Sequence, residues 1–239
     1  MPTQTRTEIA KDLEDLAHRA ARWIVDIAGR SPGRCAVSLS GGSTPRRLYQ
    51  LLAEPPYRET MPWGRIYWFW GDERFVPPDH PDSNYRMVCE ALLSRAQVPQ
   101  ANIYPVPTGG DPAAAARNYE RTLKSFYGAE TLDPGRPLFD IELLGLGPDG
   151  HTASLFPGTN VLDENRRWVA EVIGARAEDR ITLTYPVLES SRHTAFPVAG
   201  ADKREALVRV RSGDRELPAA RLAPAGELVW FVDQQAHSA

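Results

Sequence analysis

The candidate chemistry concentrates in one stretch, LLGLGPDGHTASLFP, residues 143–157. Phe139, Ile141, Leu143, Leu144 and Leu146 form an apolar run that is broken by Gly145, Gly147 and Gly150, and Asp149, His151, Thr152 and Ser154 follow at once. Such a run reads as a buried parallel strand delivering a reactive turn to the start of a helix. Histidine exchanges protons most readily near neutral pH, so His151 suits a general base. The three glycines, Gly150 included, let backbone pass close to a ligand. The plainer alternative is a helix-capping Asp149 beside a core histidine, and the glycine-rich setting favours chemistry over it. His18, His80, His193 and His237 lack that setting, and no histidine pair has metal-ligand spacing.

Three other segments have the same form of apolar run, glycine and polar group. In Ser40-Gly41-Gly42-Ser43-Thr44-Pro45 the glycines admit backbone N–H groups to an oxyanion, Ser43 and Thr44 add hydroxyls, and a helix start favours negative charge. The spacing matches neither a Walker A loop nor GxGxxG, so the signal for phosphate is weak alone and gains from its companions. In Gly71-Asp72-Glu73-Arg74, extended backbone puts Asp72 and Arg74 on one side and Glu73 on the other. An Asp there can orient or deprotonate, and an Arg can steady a carboxylate or developing oxyanion. A surface ion pair is the bland reading, but the aromatic RIYWFW strand before it argues for burial. In Ala199-Gly200-Ala201-Asp202-Lys203 a lysine stands at a helix start, against the dipole, which suggests an anion to hold. It is one of only three lysines among 28 basic residues. Arg204 reads as a solvated neighbour.

Positioning these groups requires strands alternating with helices. An amphipathic helix is predicted over 8–28, with Ile9, Leu13, Leu16, Ala20, Ile24 and Ile27 on one face. Strands are predicted at Cys35–Leu39, Arg65–Trp70, near Ile103-Tyr104, Phe139–Leu144, Trp168–Ile173, Arg180–Thr184, Thr194–Val198 and Leu228–Val232. Helices are predicted from Pro45 to about Ala53, from the Ser83-Asn84 cap to about Ala96 and from Asp111-Pro112 to about Tyr127. Shorter helical pieces are predicted at Pro186–Ser191, Asp202–Val210 and Pro218–Leu222. The alternation implies an α/β fold, a doubly wound and mostly parallel sheet flanked by helices. No repeat or linker composition interrupts it, so residues 1–239 read as one domain.

Composition narrows the function classes. A net charge of −3 leaves no broad basic surface for nucleic acid, so an anionic ligand needs a local pocket. Cys35 and Cys89 lie in apolar segments without metal or redox spacing and read as reduced core residues. The chain lacks a secretory pattern, and no apolar run reaches the roughly 18 residues that span a bilayer, so a cytoplasmic location is expected.

Taken together, SLSGGSTPRRLYQLL (38–52), WFWGDERFVPPDHPDSNYRM (68–87), ELLGLGPDGHTASLFPG (142–158), RITLTYPVL (180–188) and the unit ending at Lys203 closely resemble the 6-phosphogluconolactonase family. The resemblance implies a fold of the amino-sugar-phosphate isomerase type and hydrolysis of 6-phospho-D-glucono-1,5-lactone without metal or organic cofactor. It implies His151 as the base that activates water, Arg74 as oxyanion stabiliser and Asp72 as an orienting group. Gly41, Gly42, Ser43, Thr44 and Lys203 would hold the phosphate, with Arg180 a further contact. The expected partner is a sugar-phosphate lactone, and the expected assembly a monomer or weak homodimer. A lactone is already activated, which agrees with the absence of a GxSxG nucleophile. Pro197 departs from the family's usual aliphatic residue, so the strand before Lys203 is expected to be irregular or at an edge.

Two rivals are weaker. A glucosamine-6-phosphate deaminase would follow its histidine with an acid, where this chain has Leu155-Phe156-Pro157. A non-catalytic sugar-phosphate sensor would need an output module, and mere binding would not require both Asp72 and His151.

Overall fold

The computed structural model describes residues 4–237, so the outermost ends of the expected domain lie outside the described residues. The first half runs β1 (Thr5–Ala10), α1 (Leu13–Arg30), β2 (Cys35–Leu39), α2 (Ser43–Leu52), α3 (Tyr57–Thr60), β3 (Ile66–Trp70), β4 (Asp72–Arg74), α4 (Asn84–Val88) and α5 (Pro112–Tyr127). Then come β5 (Phe139–Leu143), β6 (Val169–Val172), β7 (Arg180–Leu183), α6 (Tyr185–Leu188) and β8 (Ser191–Val198). The chain continues through α7 (Arg204–Arg211), α8 (Pro218–Arg221), β9 (Glu227–Asp233) and α9 (Gln234–His237).

Six strands form a parallel sheet in the order β1-β9-β8-β5-β2-β3. Its central strand β2 is buried along its whole length, and β5 at every residue but Asp140, because helices cover both faces. The expected α/β class is therefore correct. The segments at 168–173 and 180–184 belong instead to a second, antiparallel sheet, β4-β7-β6. The buried apolar residues of both sheets join one continuous core.

Several expected boundaries move. The first helix begins at Leu13, not residue 8: TRTEIA lies along β9 as an edge strand, Thr5 opposite Leu228. Asp12 then caps α1, accepting from the Asp15 N–H at 2.9 Å. Helix α4 ends at Val88 and passes into a wider π turn through Leu93. Only a one-residue bridge, Trp68 to Ile103, stands where a strand was expected at 103–104. Cys35 is buried, which pushes its thiol up to about 12, whereas Cys89 is only half-buried; both are free.

Pro197 lies in β8 opposite Phe231, in the middle of the sheet and not at an edge. Ala195 faces β5, where its carbonyl accepts from the Leu144 N–H at 2.9 Å. Two residues on, Pro197 points the same way but beyond the last β5 partner, Leu143, so its missing N–H costs the ladder nothing.

Candidate active site

The site is built where strands of both sheets end. Two buried tyrosines from flanking helices pin the turns. The Tyr49 hydroxyl of α2 accepts from the Ser40 N–H at 3.0 Å and donates to the Ser40 carbonyl at 2.9 Å. The Tyr119 hydroxyl of α5 does the same at Trp70, at 2.9 and 3.0 Å. Gly71 is the joint between sheets: its N–H donates to the Leu39 carbonyl at 2.9 Å, and its carbonyl accepts from the Leu183 N–H at 2.8 Å.

From that joint β4 pairs with β7, Asp72 opposite Thr182 and Arg74 opposite Arg180. The two-residue period turns Asp72 and Arg74 into the cleft, as expected, and sends Glu73 to the other side. Glu73 is buried and accepts four hydrogen bonds: from the Arg74 N–H at 2.7 Å, the Asn84 and Tyr85 N–H groups at 2.7 Å each and the Ser83 hydroxyl at 3.1 Å. It thereby fixes the start of α4 against β4. Burial still raises its carboxyl above the usual range, the three N–H groups opposing. Asn84, read from the sequence only as part of a helix cap, lines the cleft; its amide donates to the Asp72 carbonyl at 3.0 Å and lies where a Gly41 side chain would stand.

The turn after β5 does not lead into a helix. Residues 144–158 stay irregular, Ala153 takes φ +47°, and Thr152 bridges Leu155. Asp149 therefore caps nothing. Its Oδ1 instead accepts from His151 Nδ1, and its Oδ2 from the Arg176 guanidinium. Burial acts to raise the Asp149 carboxyl, but the hydrogen bond and charge of His151, with a smaller contribution from Arg176, bring it below the usual range. A carboxylate at Nδ1 assigns the ring proton there and leaves Nε2 as the acceptor on the cleft side. The His151 ring packs on Phe156, centroids 4.8 Å apart, and Gly147 passes beneath so closely that any side chain there would overlap it.

The third contributor is the turn after β8. Asp233 of β9 accepts from the Gly200 N–H at 3.1 Å, and Gly200 takes φ +100°. Lys203 follows on a short 3₁₀ turn, 3.2 Å from the Asp202 carboxylate and facing the cleft.

The resulting cavity, about 190 Å³, brings together Gly41, Gly42, Asp72, Arg74, His151 and Lys203. It shares Gly42, Arg74 and Asn84 with an adjoining annex of about 420 Å³ that reaches Ser43, Arg46 and Arg86. Three expected members stand apart. Thr44 sits in the first turn of α2 and lines neither cavity. Gly150 packs on Leu217, where a Cβ would come within 2.8 Å, and its φ of +76° suits glycine. Arg180 is buried behind Arg74, 3.2 Å from Glu178, with Nη1 unpartnered; burial, then the charge of Arg74, lowers its guanidinium from the ordinary value. A larger groove along α5, about 1100 Å³, holds no histidine, and its Lys124 is paired to Glu120 at 2.8 Å. Among the described residues no three His, Cys, Asp or Glu side chains gather to hold a metal, and no helix is long and apolar enough to cross a membrane.

The sheet order, the switch of strands at Gly71 and the histidine-bearing turn define a protein class. Residues 11–230 match the family described as glucosamine-6-phosphate isomerases/6-phosphogluconolactonase, and the chain belongs to it. Within that family it is 45% identical to the 6-phosphogluconolactonase of Synechocystis sp. over 215 residues, covering 88% of this chain and 85% of that protein. It is 41% identical to the 6-phosphogluconolactonase of Nostoc sp., covering 99% and 95%. The crystal structure of the Thermotoga maritima 6-phosphogluconolactonase superposes with a TM-score of 0.82 at 30% identity, covering 97% of this chain and all of that one.

Proposed function

We propose that this chain is a 6-phosphogluconolactonase, hydrolysing 6-phospho-D-glucono-1,5-lactone to 6-phospho-D-gluconate in the oxidative branch of the pentose phosphate pathway. The observation that carries the mechanism is the His151 imidazole, held at Nδ1 by Asp149 in a cleft shared with Asp72, Arg74 and Lys203. His151 Nε2 takes a proton from water as its oxygen attacks the lactone carbonyl. Negative charge then grows on the lactone carbonyl oxygen beside the Arg74 guanidinium, which is steadied by donation to the Asp82 carbonyl at 2.6 Å. When the tetrahedral centre collapses, the ring C–O bond breaks and the imidazolium gives its proton to the departing ring oxygen, which becomes a hydroxyl. Asp72 orients the sugar. The phosphate lies at the α2 start, where Gly42 and Ser43 line the cleft and its annex and no side chain caps the free N–H groups, with Lys203 opposite.

The family name also covers deaminases, and the segment after His151 favours lactone hydrolysis. Leu155 and Phe156 are buried, Phe156 directly against the imidazole, so no acid stands there for ring opening. A single domain, a cytoplasmic location and a monomer or weak homodimer belong to the same proposal.

The test is a coupled assay with freshly prepared lactone, corrected for spontaneous opening. His151→Ala is expected to lower kcat by ~10²–10⁴-fold while 6-phosphogluconate still binds. Full activity in that variant would remove His151 as the base.

A further inference from the structure

The loop 173–179 between β6 and β7 stands outside the cleft wall, yet one of its side chains reaches the catalytic histidine's two supports. The Arg176 guanidinium is ion-paired to Asp149 Oδ2, while Asp149 Oδ1 holds His151 Nδ1. The same guanidinium lies over the Phe156 ring, 4.3 Å from its centroid, and that ring packs on the imidazole. Its Nη1 also donates to the Ala175 carbonyl at 3.3 Å, which braces the loop. An isolated half-exposed ion pair would be worth little. Here one cation touches both the group in the plane of the imidazole and the ring against its face.

We propose that Arg176 is a positioning residue that sets the protonation and orientation of His151 through Asp149 and Phe156; this rests on the lactonase reading given above. Asp149 alone would place a full negative charge at Nδ1 and stabilise the imidazolium. The guanidinium offsets part of that charge. The other charged groups facing His151 in the cleft are Arg74 and Asp72 of β4 and Lys203 before α7. Arg74 and Lys203 act in the same direction as Arg176, and Asp72 opposes them. The stacked guanidinium adds a steric part, keeping Phe156 against the ring.

Two variants and two readouts test this. The His151 titration is followed by NMR in the ligand-free protein, its signal identified by its loss in His151→Asn. The pH profile of kcat/KM is measured with fresh lactone. Arg176→Gln is expected to raise the His151 midpoint by ~0.5–1 pH unit and lower kcat/KM on the acid side by ~3–10-fold. Arg176→Lys keeps the charge without the planar stack and should hold the midpoint near that of the unaltered protein while the plateau rate falls. An unmoved midpoint in Arg176→Gln overturns the proposal. Failure of the unaltered protein to open the lactone would overturn the lactonase reading instead, and the NMR midpoint would still decide the role of Arg176.

Discussion

The Ser154 hydroxyl donates to Asp72 Oδ2 at 2.6 Å, although the two residues are 82 positions apart, Ser154 in the irregular loop after β5 and Asp72 on β4. The bond is buried. It locks one carboxylate oxygen of Asp72 and ties the histidine-bearing loop to β4. The Ser154 N–H is in turn taken by the Thr182 hydroxyl at 3.2 Å, so the loop is anchored to the second sheet twice.

Ser154→Ala should therefore leave the fold intact and free Asp72 to rotate. A lost hydrogen bond to a charged group predicts a fall in kcat of roughly tenfold, with a smaller change in KM. Steady-state kinetics with fresh lactone decide the matter: an unchanged kcat would mean that the orientation of Asp72 has no part in the reaction.

Lys203 is a cation in the cleft whose protein partner is the exposed Asp202. Lys203→Ala should raise KM for the phosphorylated lactone by ~10–100-fold. With glucono-1,5-lactone, which has no phosphate, the variant and the unaltered protein should be alike. Equal KM values for the phosphorylated substrate would place the phosphate elsewhere.

Gly147 is needed for space. A methyl at this position would overlap both the His151 ring and the Asp149 carboxylate. Gly147→Ala should thus lower kcat by at least tenfold through a displaced imidazole, with far-ultraviolet circular dichroism unchanged. Retained kcat would show that the turn relaxes without moving the base.

Glu142 makes a stability prediction with a definite sign. It is fully buried on β5, and neither carboxyl oxygen makes a well-formed hydrogen bond, although the Ser38 hydroxyl stands nearby. Burial drives its carboxyl well above the usual range; the Ser38 hydroxyl opposes this and the charge of Asp72 adds to it. The folded state thus holds a proton that the unfolded chain gives up above about pH 4.3. Its favourable contribution is complete below that pH and is lost as pH rises toward the folded-state value. Glu142→Gln should raise Tm at neutral pH, each 1 kcal/mol appearing as roughly 2–4 °C. The gain should vanish near pH 4, and thermal melts across the range would show it. A gain independent of pH would point to packing instead.

Motifs whose function lies in local backbone were legible in the sequence. Ser40–Thr44, Asp72-Glu73-Arg74 and the turn at His151 announce themselves by glycine, alternation and burial, and the structure gathers Gly41, Gly42, Asp72, Arg74, His151 and Lys203 around one cavity. What escaped depends on contacts far apart in sequence. Ile9 carried the helical period into a segment that pairs with β9, an edge strand that periodicity alone cannot separate from the helix beside it. The residues after His151 read as a helix because no local signal announced the positive φ at Ala153. Asn84 and Arg176 sit in a helix cap and an exposed loop, where their side chains look ordinary until Gly41 and Asp149 are placed beside them.

Gly71 has a consequence for how this enzyme can vary. At that one residue the chain leaves the six-stranded sheet and enters the three-stranded one, with its N–H committed to the first and its carbonyl to the second. A Cβ there would lie 3.4 Å from Glu142 Oε1 and 3.5 Å from the Ser38 hydroxyl, ordinary contact distances, so the corner is closely lined and not blocked. The place of the Asp72–Arg74 edge beside the six-stranded sheet is therefore held by main-chain hydrogen bonds that a side-chain exchange does not remove. Exchanges in the surrounding loops then alter the lining of the cleft while this corner of main chain stays as it is.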